Sequence, residues 1–247
     1  MSERWKTYIV GGVERGGGPV AFALTQWAFL FPVFLAIRRA LPSGGRVLDV
    51  GCGAAIFSSL LAHHGYDVTG IDEDPDIVQY AREMIEYLRS PARVEQATAS
   101  DLRPYHGRFD LVYSLGVVEH ADADGTVELL REQFRCAPIV AAAVPSRHTH
   151  YAAPITDERL YSHRQFARLI RRAGGRVRES FVYGDLPTRL ALNSERLLPG
   201  VLDRAWRRWA TYGMGICCVG ERAREGAARG VGPPQATEPG CGAEPHV

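Results

Sequence analysis

The residues best suited to chemistry lie in one short stretch, Val47-Leu48-Asp49-Val50-Gly51-Cys52-Gly53-Ala54-Ala55-Ile56-Phe57. An apolar run carrying one acid meets a glycine-rich turn and then a helix-forming segment. A second acid, Asp72, closes the next apolar run, Val68-Thr69-Gly70-Ile71-Asp72. A strand, a glycine turn and a helix, followed about 20 residues on by an acid, is the pattern of a nucleoside-type cofactor site. Glycines without a Cβ let the backbone approach the ligand. The acid at the end of the second strand accepts hydrogen bonds from ribose hydroxyls.

The turn discriminates between cofactors. A dinucleotide turn is G-x-G-x-x-G, shaped around a pyrophosphate. Here the third glycine position of that pattern is Ile56, and Asp49 stands just before the turn. A carboxylate there would repel a pyrophosphate and suit a ligand carrying an ammonium. The run from Asp49 to Ala55 resembles motif I, D-x-G-x-G-x-G, of the class I S-adenosylmethionine-dependent methyltransferases. It departs from that motif at Ala55, where the family has glycine, and one extra methyl group is expected to be tolerated. A Rossmann-type turn that binds NAD, or no ligand, is the alternative.

The resemblance extends over about residues 44–183. Ala99-Ser100-Asp101-Leu102 resembles the loop after the third strand, where an acid contacts the adenine amino group. Phe109 to Ser114 resembles the fourth strand, and Leu115-Gly116-Val117-Val118-Glu119-His120 the segment bordering the methionine moiety. The resemblance thus implies S-adenosylmethionine as cofactor and S-adenosylhomocysteine as its product. It implies Asp49, Gly51, Cys52, Gly53, Asp72, Glu73, Asp101, Leu102, Ser114 and Leu115 as the cofactor-binding residues. On its own, Asp101 reads equally well as a helix-cap or turn acid.

Methyl transfer is an in-line attack on a sulfonium carbon, so the acceptor atom must be held about 3–3.5 Å from the methyl group. A hydroxyl, acidic carbon or protonated amine also needs a base. In an open α/β sheet this centre lies beyond the carboxyl ends of the central strands. Glu119 and His120 follow strand four; His148, His150 and Tyr151 follow strand five, in Val144-Pro145-Ser146-Arg147-His148-Thr149-His150-Tyr151. Histidine titrates near neutrality and is the natural base. His150 and His148 are therefore the first candidates, with His120 and Tyr151 beside them; an ordinary polar loop is the alternative. The pair His148 and His150 has metal-ligand spacing, but no third ligand is evident, and no metal is expected.

Elements that position these groups follow from periodicity. Apolar runs predict strands at 46–50, 67–71, 93–96, 109–114, 139–144, 177–183 and 213–220. Helices are predicted at 54–64, 75–89, 125–135 and 163–173, with Asp74-Pro75 as a start signal, Gly65 as a stop and Ser162 as a cap. The alternation predicts an α/β, Rossmann-like, doubly wound seven-stranded sheet with helices on both faces. The antiparallel hairpin at its end is implied by the resemblance alone. Residues 1–42 are expected to form an N-terminal helical lid and 43–222 the cofactor-binding domain. Residues 184–212 are read as a helical insertion before the last strand, and 223–247 as a disordered tail, rich in Gly, Pro, Ala and Glu.

With 247 residues the chain can bury one full core. Lys and Arg number 29 and Asp and Glu 28, a formal net charge of +1, so no nucleic-acid partner held by bulk electrostatics is expected. Arg164, Arg168, Arg171, Arg172, Arg176 and Arg178 are read as a solvated basic face. The five cysteines include no C-x-x-C pair and read as reduced core or tail residues. The polar start, with Glu3, Arg4 and Lys6, predicts no secretory leader and a cytoplasmic location. Residues 16–37 carry no charge and are long enough to cross a bilayer. They are read as buried or amphipathic helices of the lid, with membrane contact as the alternative. The expected function is methyl transfer to an O, N or C atom of a small-molecule acceptor, such as a specialised metabolite or lipid-like compound, by a monomer or homodimer. RNA or protein methylation, or a non-methylating role such as a cyclase, are the alternatives; Ser114-Leu115-Gly116-Val117 lacks the Asn/Asp-Pro-Pro-aromatic motif of base N-methylation.

Overall fold

A computed structural model describes residues 2–147, 158–184 and 213–223. Among these, one seven-stranded sheet has the order β3-β2-β1-β4-β5-β7-β6. Its strands are β1 (Arg46–Val50), β2 (Asp67–Asp72), β3 (Arg93–Gln96), β4 (Leu111–Leu115), β5 (Ile139–Pro145), β6 (Gly175–Tyr183) and β7 (Gly215–Arg222). Strands β1 to β5 run parallel, and β7 pairs antiparallel with both β5 and β6. The strand order reverses between β1 and β4, and in such sheets ligands bind beyond the strand ends at that switch point.

Six helices flank the sheet among the described residues: α1 (Ser2–Arg15), α2 (Pro19–Ala40), α3 (Ile56–His63), α4 (Pro75–Tyr87), α5 (Ala123–Cys136) and α6 (His163–Arg172). Period-two alternation divides the core. Along β1, Leu48 and Val50 enter a cluster with Val112, Leu130, Phe134, Phe166 and Ile170, beneath α5 and α6. Val47 points the other way, to Leu61, Leu111, Val33, Phe34 and Ile37 beneath α2 and α3. The helix starts follow local chemistry. Asp74 accepts from the Asp76 amide ahead of α4, with Pro75 in the first turn. Ser162 and Gln165 form a reciprocal capping box on α6. The start of α5 lies upstream of the predicted residue 125, because Asp122 caps it by accepting from the Gly125 amide at 2.7 Å.

The N-terminal segment forms two helices. Leu30, Val33, Phe34, Ala36 and Ile37 of α2 are buried, and Arg39 pairs with Glu179 of β6 at 2.6 Å. By length and composition α2 could also cross a membrane. Its opposite face exposes Val20, Leu24, Phe31 and Leu35. Half of the arginines of the basic face expected on α6 and β6 are ion-paired: Arg172 with Asp124, and Arg176 and Arg178 together with the single Glu221. The expected insertion (184–212) and tail (223–247) lie almost wholly outside the described residues, as do His148, His150 and Tyr151.

Candidate cofactor site

The turn between β1 and α3 is built from conformations open to few side chains. Gly51 and Gly53 have φ of 73° and 53°, in the left-handed region. A Cβ on Gly51 would lie 2.5 Å from Val117 Cγ2, so the segment after β4 closes directly over the turn. The amides of Gly51 and Cys52 both donate to the Ile71 carbonyl, at 2.8 and 2.9 Å, and tie the turn to β2. Ala55 is also left-handed, with φ 52°, and is fully buried. This conformation places the start of α3 at Ile56 rather than at the predicted residue 54.

Asp72 closes β2 beside the turn. Its Oδ2 accepts from the Gly53 amide at 3.1 Å and its Oδ1 from the Asp74 amide at 3.2 Å. Burial raises its carboxyl above the usual range, and the two amides oppose that rise. Glu73 is exposed and accepts from Thr98 Oγ1 at 3.3 Å. Burial pushes the Cys52 thiol well above its usual range, with Asp49 and Asp72 adding to the rise, so it stays protonated.

Asp49 lies beneath α3, one residue before the strand end, with 3% of its surface exposed. Its Oδ2 accepts from Ser58 Oγ at 2.5 Å and from Tyr113 OH at 2.6 Å. Burial pushes its carboxyl up to about 7 against the pull of these hydroxyls. Asp101 is held by Arg103 through contacts of 2.7 and 2.8 Å, and these hydrogen bonds lower its carboxyl to about 2. An adenine amino group would share that carboxylate with a guanidinium. The Leu102 side chain is buried in the core under α5, and Ser114 Oγ donates to Gln133 Oε1 at 3.2 Å. Leu115 is half-buried at the end of β4.

After β4, Gly116 takes φ 74° and the chain forms a short 3-10 turn over Val118–His120. Glu119 is 1% exposed, and its Oε2 has no hydrogen-bond partner among the described residues. Burial pushes it up to about 8, with Glu158 adding to the rise. Its Oε1 lies 3.4 Å from where a Cβ on Gly116 would stand, at the carboxyl end of β4. His120 follows, half-buried.

The sequence motif thus converges on one place: Asp49, Gly51, Cys52, Gly53 and Asp72 surround a single turn, with the segment after β4 over it. Among the described residues no group of three or more His, Cys, Asp or Glu side chains could hold a metal ion. Sequence reasoning missed Ser58 and Tyr113, although two polar groups in apolar surroundings were a signal. The donor set fits S-adenosylmethionine: a glycine cradle with no phosphate-binding basic group among the described residues, a buried acid that would suit an ammonium and an acid tied to the turn that would suit ribose hydroxyls.

Comparison with known proteins agrees with this geometry. Residues 47–137 match the family described as "Methyltransferase domain". The chain is 41% identical over 90 residues to the ubiquinone biosynthesis O-methyltransferase of Xanthomonas campestris pv. campestris (strain B100), over 35% of this chain and 36% of that protein. The chain therefore spans about a third of the length of that curated relative. The fold is similar to magnesium protoporphyrin IX methyltransferase from Synechocystis PCC 6803 with bound S-adenosylmethionine, with TM-score 0.58 and 13% identity, covering 83% of this chain and 82% of that one. It is also similar to the cyclase SpnF, with TM-score 0.56 and 20% identity, covering 80% of this chain and 82% of that one. Both structural likenesses concern the fold alone. Through residues 47–137, the chain is similar to the methyltransferase-domain family.

Proposed function

We propose that the protein transfers a methyl group from S-adenosylmethionine to a small-molecule acceptor. The observation that carries this reading is the Gly51–Ala55 turn, flanked by a buried acid without a cationic partner among the described residues, Asp49, and tied through Gly53 to Asp72. When bound, the cofactor supplies a methyl group on a sulfonium, which needs a nucleophile in line but no metal or redox partner. Asp72 would receive the ribose hydroxyls, and Asp49 the ammonium. The segment from Leu115 to His120 would border the reacting methyl. The printed name of the curated relatives favours a hydroxyl oxygen as the acceptor atom on an apolar, lipid-like compound. For such an acceptor, a base takes the hydroxyl proton as the oxygen attacks. His120 stands at the carboxyl end of β4, and His148, His150 and Tyr151 remain candidates beyond the described residues. We place the protein in the cytoplasm, as a monomer or homodimer.

The test is calorimetric titration of the full chain with S-adenosylmethionine, S-adenosylhomocysteine and NAD. Binding of the first two in the micromolar range, and none of NAD, is expected. A screen of apolar phenols and alcohols then follows S-adenosylhomocysteine release. A second reading, a non-methylating protein on this fold, is favoured by the likeness to a cyclase. Cofactor binding without release of S-adenosylhomocysteine for any acceptor class would select it.

A further inference from the structure

Asp49 is a buried acid whose described polar partners are both neutral hydroxyls. The parallel register sets it opposite Gly70 on β2 and Tyr113 on β4. Strand neighbours in register share a face, so Asp49 and Tyr113 both point beneath α3. Ser58 descends from the first turn of α3 to the same point, and the two hydroxyl oxygens are 3.2 Å apart. Both hydroxyls donate to Oδ2, while Oδ1 accepts from no described residue. The titratable groups facing the carboxyl are Cys52 from the turn, Asp72 from β2 and Tyr113 from β4; no cation faces it among the described residues. Burial and Asp72 favour the protonated acid, and the two hydroxyls favour the anion.

We propose that Ser58 and Tyr113 are positioning residues for the amino-acid end of the cofactor: they hold Asp49 with Oδ1 free for the ammonium and stabilise its anion, so that cofactor binding drives a proton from Asp49 to solvent. The inference rests on the methyltransferase reading. In the step, the carboxyl O–H bond breaks, its electron pair stays on Asp49, its proton passes to the buffer, and the ammonium keeps its own protons. Affinity then rises with pH by up to about tenfold per unit until Asp49 is ionised in the free protein. It falls again only at higher pH, where the ligand's amino group, held protonated by its neighbouring carboxylate, loses its proton. Removing either hydroxyl shifts the rising limb to higher pH and weakens binding near neutrality. A purely structural loss would lower affinity equally at every pH.

Calorimetric titration of the full-length chain with S-adenosylhomocysteine tests this between about pH 5.5 and 8.5, in two buffers of different ionisation enthalpy. The wild type is expected to release close to one proton per ligand at about pH 6, and fewer as pH rises. Tyr113→Phe and Ser58→Ala are each expected to move the rising limb upward by about half a pH unit or more. Ser58→Ala alone supplies the readout should Tyr113→Phe fail to fold. Binding with no proton release by the wild type, or variants whose limb coincides with the wild type's, would overturn the proposal and leave the cofactor assignment standing. No binding of S-adenosylhomocysteine by the wild type at any pH would remove the cofactor assignment, and the proposal with it.

Discussion

At the scale of single residues, the turn after β1 would set the conditions for the proposed binding. Gly51 admits no side chain, because a Cβ would strike Val117 and the backbone is left-handed. Gly51→Ala is therefore expected to weaken S-adenosylmethionine binding by more than about 100-fold, since a misplaced turn loses several contacts at once; affinity within tenfold of wild type would show that the cradle is not the site. Asp72→Ala should weaken binding at least about tenfold with the fold intact by circular dichroism. Unchanged affinity by calorimetry would refute the ribose assignment. Ala55 departs from the family's glycine, and magnitudes explain how it persists. A left-handed alanine costs about 1–2 kcal/mol. Its buried methyl returns about 0.8 kcal/mol, and its lower unfolded-state entropy about 0.4–1 kcal/mol. These terms nearly cancel, so Ala55→Gly should leave the melting temperature within a few degrees of wild type, as differential scanning calorimetry would show.

At the scale of elements, the two N-terminal helices make different contacts. Helix α1 approaches the cofactor turn: Ile9 Cδ1 lies 3.4 Å from where a Cβ on Gly53 would stand. Ile9 also packs with Phe22 and Tyr80 against Ala54, Ile56 and Met84. Helix α2 supplies part of the main core through Val33, Phe34 and Ile37. Burying those three side chains is worth about 5–8 kcal/mol, comparable to a domain's whole stability of about 5–15 kcal/mol. Removal of residues 2–15 should leave the sheet cooperatively folded while weakening cofactor binding several-fold; removal through residue 40 should abolish cooperative unfolding. A chain lacking residues 2–15 that binds as tightly as wild type would deprive α1 of any part in the site. Which face of α2 meets the sheet is invisible in the uncharged run of residues 16–37, because composition does not encode it.

At the scale of the whole molecule, two buried acids govern how stability responds to pH. Asp49 and Glu119 are raised to about 7 and about 8, mainly by burial. Each holds its proton more tightly in the folded state than in the unfolded chain, so its contribution is complete at low pH and lost as pH rises through the folded value. The melting temperature should thus decline between about pH 5 and 8.5. Glu119→Gln should flatten the upper part of that decline, and saturating cofactor the lower part, since an ammonium favours the Asp49 anion. Asp101, Asp110, Glu132 and Glu221 are lowered by basic partners and act in the opposite sense, below the ordinary carboxylate range. A melting temperature that rises steadily from pH 5 to 8.5 would show that neither buried acid is protonated in the fold.

Local chemistry determined the elements. Alternating apolar runs, Asp74-Pro75, Gly65 and Ser162 act within a few residues of themselves, so strands and helix ends were legible before any fold was known. The glycine turn with Asp49 and Asp72 was legible for the same reason, because its geometry is written in consecutive backbone torsions. Three features required the tertiary structure. The register of β1 against β4 sets Tyr113 opposite Asp49, 64 residues away. Packing of the post-β4 segment brings Val117 onto Gly51 and buries Glu119. The antiparallel return of β7 between β5 and β6 completes the sheet. Each depends on long-range pairing and on burial that raises the cost of charge, and neither register nor dielectric environment is encoded in any one stretch of chain.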